Sequence, residues 1–368
     1  MPVAEEKKAS KAKPVKNEKQ SLLDDLSSKM PLFGEDDYSS KVVDVVPSGS
    51  MSLDLALGNG GYPRGTIIDL FGAESAGKSL LSIMAIAQVQ KLGGTVVVWD
   101  AERSYSKNLT WMRINGVDTK KIKFLKLRPT QGAEIGFDTM CKLIEAQAVD
   151  LFVVDSVPSL IPQMALDRTL MQENVLGRRA SMLTNALSRM VGLIDDSKTI
   201  VMFINQMRAN VDANNKYAPR EKETSNWALK HYSTIRMHVK KVSKPTEENG
   251  VPVSHRVRVK LVKNKVAEPF RTAEFDIYYN RGVDQAGEVA DILIGAGLIQ
   301  QKGAWYFYKE QKFQGLDKVT EFIRDAKELA EGKAKVLELG SAIKVFGVRD
   351  QAELAAETAE EVSIESED

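Results

Sequence analysis

The sequence predicts an α/β fold with a mostly parallel central sheet, an N-terminal helix before it and a small α+β domain after it. Three observations carry this expectation. Strand and helix signals alternate through the middle of the chain, the pattern of parallel strands with helices over both faces. The stretch "FGAESAGKS" (71–79) joins the first of these strands to the first helix. Farther on, "STIRMHVKKV" and "SHRVRVKLVKNK" alternate with period two, as paired antiparallel strands do.

Taken in order, "TIIDLFG" reads as a buried strand and Lys78 to Leu92 as a helix. "GGTVVVWDAE" is the next strand, and "GAEIGFDTMCKLIEAQ" a helix with apolar residues at i, i+3, i+4 spacing. "VDLFVVDS" gives a third strand, Arg178 to Asp195 a long helix and "KTIVMFINQ" a fourth strand. From Gly282 the pattern changes to short helices around "GAWYFYK". The expected organisation is therefore a basic arm with an N-terminal helix at 21–33 (1–46), a core (47–283), a small C-terminal domain (284–340) and an acidic tail (341–368).

The 368 residues carry a net charge of only +1, so a polyanion must be met by a local patch. The arm, residues 1–20, holds six Lys, whereas the segment after Arg349 has eight carboxylates and no basic residue. Such a tail is expected to compete with phosphate for basic side chains. Cys141 is the single cysteine, which excludes an internal disulfide framework and a cysteine-rich metal site. With no apolar run of about 18 residues, the expectation is a soluble, cytoplasmic protein without a membrane partner.

Gly72-x4-Gly77-Lys78-Ser79, between a strand and a helix, has the form of a phosphate-binding loop. Backbone amides of Gly72, Ala73, Glu74, Ser75, Ala76 and Gly77, with the helix N-terminus, make an anion cradle that depends on Gly-permissive dihedrals. Lys78 would reach the β- and γ-phosphates, and the Ser79 hydroxyl would ligate Mg²⁺. A nucleoside triphosphate site of this kind needs a second carboxylate for the metal and a group that activates water. Asp155 ends the strand "LFVVD" at the carboxyl edge of the sheet and suits the metal. Glu102 follows "VVVWDA" and suits the general base, with Asp100 the alternative two residues earlier. Gln206 ends "VMFINQ", where an amide can hydrogen-bond a γ-phosphate.

The blocks "SGSMSLDLALGNGGYPRGTIIDLFGAESAGKS", "WDAE", "VDLFVVDSV", "TIVMFINQMR", "VRVKLVKNKVAEPF" and "GAWYFYK" resemble the bacterial RecA recombinase family, in its order and spacing, from about residue 21 to 330. The resemblance implies a RecA-type P-loop ATPase core with ATP and Mg²⁺. It also implies a helical filament of identical subunits on single-stranded DNA that pairs it with a homologous duplex and exchanges strands, in DNA recombination, repair and the damage (SOS) response. Double-stranded DNA and mediator proteins follow as further partners, and the N-terminal helix as an oligomerisation element. By position, the nucleotide contacts fall on Gly72 to Ser79, the water activator on Glu102, the metal carboxylate on Asp155 and the γ-phosphate sensor on Gln206. Lys263 and Lys265 match two lysines that reach the ATP of the neighbouring subunit. Trp111 falls near the family's adenine-stacking tyrosine, although "RSYSKNLT" is two residues longer than usual.

The resemblance further implies two DNA-binding loops, at about 164–177 and 207–226. Arg178, Arg179, Arg208, Lys216 and Arg220 would track phosphates, Leu176 and Val211 would wedge between bases, and Gly177, Asn226 and Trp227 would complete the contact. The chain reads Ser225-Asn226-Trp227 where the family usually has Gly-Gly-Asn, and His231 where it has a phenylalanine that couples subunits. A hexameric ring helicase or motor with the same core fold stands as the alternative function.

Overall fold

A computed structural model describes residues 43–166, 175–209, 221–223 and 227–339. The basic arm, the helix at 21–33 and the acidic tail lie outside the described residues. Strand β1 (Ile67–Gly72) is buried at every position. A continuous apolar run of this kind is what a parallel strand covered on both faces requires. There follow α1 (Lys78–Lys91), β2 (Val96–Asp100), β3 (Ile122–Leu125), α2 (Ala133–Glu145), β4 (Leu151–Asp155), α3 (Val175–Ser197), β5 (Ile200–Ala209), α4 (Trp227–Tyr232) and β6 (Ile235–Lys241). The sheet continues through β7 (Val251–Asn264) and β8 (Thr272–Tyr278).

Its strand order is β8-β7-β6-β1-β5-β4-β2-β3. The last six of these are mutually parallel, and β7 is antiparallel to both β6 and β8. Alternate side chains feed two cores. Ile68 and Leu70 join Leu81, Ile86 and Phe275 on the α1 face, while Ile67 joins Phe137, Leu187 and Phe203 beneath α2 and α3. Register aligns Gly72 with Gln206 and Asp100 with Asp155, so the first loop glycine and three polar candidates share one edge.

One strand is added and three expectations change. Strand β3 was not visible in the sequence; only Ile122 of its four residues is buried, as at a sheet edge. Gln206 does not end its strand, because β5 continues to Ala209 and pairs antiparallel with Glu221–Glu223. Helix α3 starts at Val175, ahead of the expected Arg178, which places Leu176 and Gly177 on a helix rather than in a loop. The "GAWYFYK" segment is not flanked by helices alone. It forms the middle of a three-stranded antiparallel sheet, β9 (Gln300–Lys302), β10 (Trp305–Tyr308) and β11 (Gln311–Gln314). With α5 (Gln285–Gly295), α6 (Leu316–Ile323) and α7 (Ala326–Leu339), this sheet encloses a core of Val289, Leu293, Val319, Ile323 and Val336.

One contact that seats this C-terminal unit on the rest of the chain is a buried carboxyl. Glu288 on α5 accepts a hydrogen bond from the Ser50 hydroxyl, which caps the helix Met51–Leu57. Burial pushes Glu288 up to about 8, against opposing hydrogen bonds from Ser50 and Ser52. Its native state therefore keeps a proton that the unfolded chain releases near pH 4.5, so stability falls as pH rises from there to about 8 and levels beyond it. Between those ionisations the loss by pH 7 is on the order of 3 kcal/mol. Glu288→Gln keeps an oxygen for Ser50 and removes this burden. Urea midpoints at pH 5 and pH 8 check it: the variant should gain on the wild type only at pH 8, and equal midpoints there refute the expectation.

Candidate active site

The turn after β1 owes its shape to two glycines. At Gly72 (φ 154°) an added Cβ would stand 2.1 Å from the Val239 carbonyl oxygen, so no larger residue fits against β6. Gly77 (φ 105°) caps α1 without a side-chain hydrogen bond, and an added Cβ would meet Ile277 Cδ1 at 3.1 Å. The first-turn amides of a 14-residue helix thus face the loop, with the positive end of its dipole behind them.

Lys78 is buried. Its Nζ donates to Gly72 O at 2.9 Å and to Ala73 O, spanning the loop. Desolvation lowers its pKa, and Asp155, Glu74 and Glu102 oppose that shift. Ser79 Oγ donates to Asp155 Oδ2 at 3.4 Å. Asp155 is 3% exposed and is pushed up to about 7, first by burial, then by the charges of Glu102 and Asp100. A buried carboxyl crowded by two others is a place where a divalent cation relieves repulsion.

Two carboxylates compete for the role of base, and their partners separate them. Asp100 accepts the backbone amides of Ser104 (2.7 Å) and Ser106 (3.0 Å), one on each oxygen, so it is committed to folding the turn after β2. Glu102 lies two residues beyond the strand and is exposed. Its Oε1 accepts from Gln206 Nε2 at 2.9 Å, from Ser159 Oγ at 3.3 Å and from Ser156 Oγ. The structure therefore brings Lys78, Ser79, Glu102, Asp155 and Gln206 together.

Lys263 and Lys265 are not in that group. β7 runs antiparallel to β6, and Lys263 pairs in register with Arg236 near the start of β6, at the opposite edge of the sheet. Lys263 Nζ donates to the carbonyls of Lys230 (2.7 Å) and His231 (3.0 Å) at the end of α4. Burial lowers its pKa, and Lys265 and Arg236 lower it further. Trp111 is half-buried against the α1-side core on the short helix Leu109–Ile114. The longer segment before it is anchored by Tyr105, which sequence reasoning passed over. Tyr105 is buried and shares a hydrogen bond with Ser82 of α1.

Of the expected DNA contacts, Arg179 Nε donates to Leu160 O at 3.0 Å, Gly177 is exposed and Arg178 is half-buried. Trp227 opens α4 and is 85% exposed. Leu176 and Arg208 are described in backbone only, and Val211, Lys216, Arg220 and Asn226 lie outside the described residues. No helix among the described residues is long and apolar enough to cross a membrane.

The residues present fit a nucleoside triphosphate and a divalent cation. Among the described residues no cluster of three or more His, Cys, Asp or Glu could hold a metal alone. A cation here would depend on Ser79, Asp155 and phosphate oxygens together.

A family model for the RecA N-terminal domain matches residues 26–284, and one for the RecA C-terminal domain matches residues 287–338. The chain is 39% identical over 323 residues to Protein RecA of a Nocardioides strain, covering 86% of this chain and 88% of that one. It is 40% identical over 290 residues to Protein RecA of Porphyromonas gingivalis, covering 78% and 83%. To Protein RecA of Thermus aquaticus it is 38% identical over 317 residues, covering 84% and 90%.

Proposed function

Because this chain belongs to the RecA family of recombinases and DNA-dependent ATPases, we propose that it hydrolyses ATP with Mg²⁺ in a helical filament on single-stranded DNA and exchanges that strand with a homologous duplex. The observation that carries the reading is a division of labour across the sheet. One edge holds the loop, Ser79, Asp155, Glu102 and Gln206, whereas Lys263 and Lys265 stand at the opposite edge, out of reach of their own site. A filament joins opposite edges of successive subunits by a head-to-tail interface. Lysines supplied in trans then make turnover depend on assembly.

In this reading the loop amides hold the phosphates, and Lys78 exchanges its carbonyl partners for β- and γ-phosphate oxygens. Ser79, with Asp155 behind it, would hold Mg²⁺, which would supply positive charge to those oxygens. Glu102 orients the attacking water and takes its proton. Gln206 touches Glu102 and lies on β5, whose continuation leads directly into the expected second DNA loop. A side chain placed there can report loss of the γ-phosphate to the DNA-contacting segment. Single-stranded DNA, duplex DNA and mediator proteins are the partners of this reading.

Electron microscopy of the full chain with single-stranded DNA and a slowly hydrolysed ATP analogue tests it, alongside ATP turnover with and without DNA. Extended helical filaments with DNA-stimulated turnover are expected. Closed rings would favour the hexameric motor, and turnover indifferent to DNA would overturn the reading.

A further inference from the structure

The wall of the sheet on the far side of β1 from Glu102 carries a buried side chain with unused polar atoms. His255 on β7 is 6% exposed, and neither ring nitrogen has a hydrogen-bond partner among the described residues. Its ring lies 5.4 Å from that of Tyr279, just past the end of β8, which is 40% exposed. Desolvation and the charge of Lys241 lower the imidazole pKa. A neutral imidazole offers one donor and one acceptor, and a buried pair left unmade costs free energy.

The position of this ring relative to the phosphate loop follows from register. His255 is the cross-strand partner of Ile277, on the same face of the sheet. Ile277 Cδ1 is the atom that would meet a Cβ on Gly77, at 3.1 Å. The imidazole therefore stands one side chain away from the cap of α1. Strand order supplies the direction. Asp155 and Gln206 belong to β4 and β5 and Glu102 follows β2, all on one side of β1, whereas β7 and β8 lie on the other. A triphosphate whose γ-phosphate faces Glu102 and Gln206 directs its nucleoside toward β7 and β8.

We propose that His255 contacts the nucleoside of the bound nucleotide, exchanging hydrogen bonds with a polar edge of the base or the sugar beside the ring of Tyr279. This rests on the reading of the loop as an ATP site. It differs from the phosphate contacts in reading the half of the ligand that the loop cannot distinguish. His255 is thus a specificity-determining residue.

The test is calorimetric titration of the full-length wild type, His255→Ala and His255→Gln, each with Mg²⁺ and without DNA. The titrants are ATP, 2′-deoxyATP, GTP and inorganic tripolyphosphate, and melting curves accompany each variant. The alanine variant should bind ATP about tenfold more weakly, as expected for one lost hydrogen-bonded contact. Its affinity for tripolyphosphate should be unchanged, and the glutamine variant should recover part of the loss. A penalty that vanishes with 2′-deoxyATP assigns the contact to the sugar, and one that vanishes with GTP assigns it to the base. Wild-type ATP affinity in His255→Ala would overturn the proposal, and so would equal losses for ATP and tripolyphosphate, which would mark damage to the fold. A wild type that binds tripolyphosphate but gains nothing from the nucleoside would also overturn it. A wild type that binds neither would overturn the ATP reading on which it rests.

Discussion

Glu102→Gln should leave nucleotide bound and DNA held while ATP turnover falls by at least about a hundredfold, the lower end of what a positioned general base contributes. Glutamine is the informative substitution because Glu102 Oε1 acts here as an acceptor for Gln206, Ser159 and Ser156. An amide oxygen keeps all three donors in place, so the loop and β5 retain their geometry while the proton acceptor is lost. One side effect has a fixed sign. The Glu102 charge helps to raise the pKa of Asp155, so the variant's Asp155 should titrate lower and hold its metal at least as well as before. Quenched-flow hydrolysis and the lifetime of the DNA complex check the expectation, and the complex should outlast that of the wild type. Normal turnover in Glu102→Gln would remove the assignment. Asp100→Asn is the control. It should act through stability, because Asp100 holds the Ser104 and Ser106 amides. Lost turnover in a fully stable Asp100→Asn would move the role to Asp100.

The parts of this fold that were legible in the sequence are those where one local signal decides. β1, β2, β4 and residues 200–205 of β5 are buried on both faces, and a continuous apolar run declares that without reference to any partner. β3 is an edge strand with Lys123 facing solvent, so its run is short and broken. The extension of β5 past Gln206 depends on pairing with Glu221–Glu223, a long-range event that no local pattern encodes. The site divides in the same way. The spacing of Gly72, Gly77, Lys78 and Ser79 is itself the chemistry, whereas the choice between Asp100 and Glu102 rested on the Ser104 and Ser106 amides. Those amides find Asp100 only once the turn has folded. His255 was silent for a related reason. A histidine inside an alternating strand reads as one more inward position, and its proximity to Gly77 arises from the β7–β8 register.

That same topology underlies the second large effect. Lys263→Ala or Lys265→Ala should cut DNA-dependent turnover by about a thousandfold, the lower end of what a cation supplied in trans to a phosphoryl group contributes. Nucleotide binding by the isolated subunit should survive, because neither side chain is near the phosphate loop of its own chain. Lys265→Ala is the cleaner of the two. Lys263 also donates to the last carbonyls of α4, so its loss frays that helix end as well. The decisive measurement mixes two inactive proteins. Glu102→Gln spoils the loop edge of a subunit and Lys265→Ala spoils the opposite edge, so each variant alone forms filaments in which every interface is defective. Assembled together in equal amounts, about a quarter of the interfaces would pair an intact Glu102 with an intact Lys265. Turnover should therefore rise from near zero to about a quarter of the wild-type rate. It should vary with the mixing ratio and peak at equal amounts. A mixture no more active than its components would show that both residues serve the same chain. Lys265 would then have to act through the fold of its own subunit, and the turnover of that variant should recover under conditions that restore its stability.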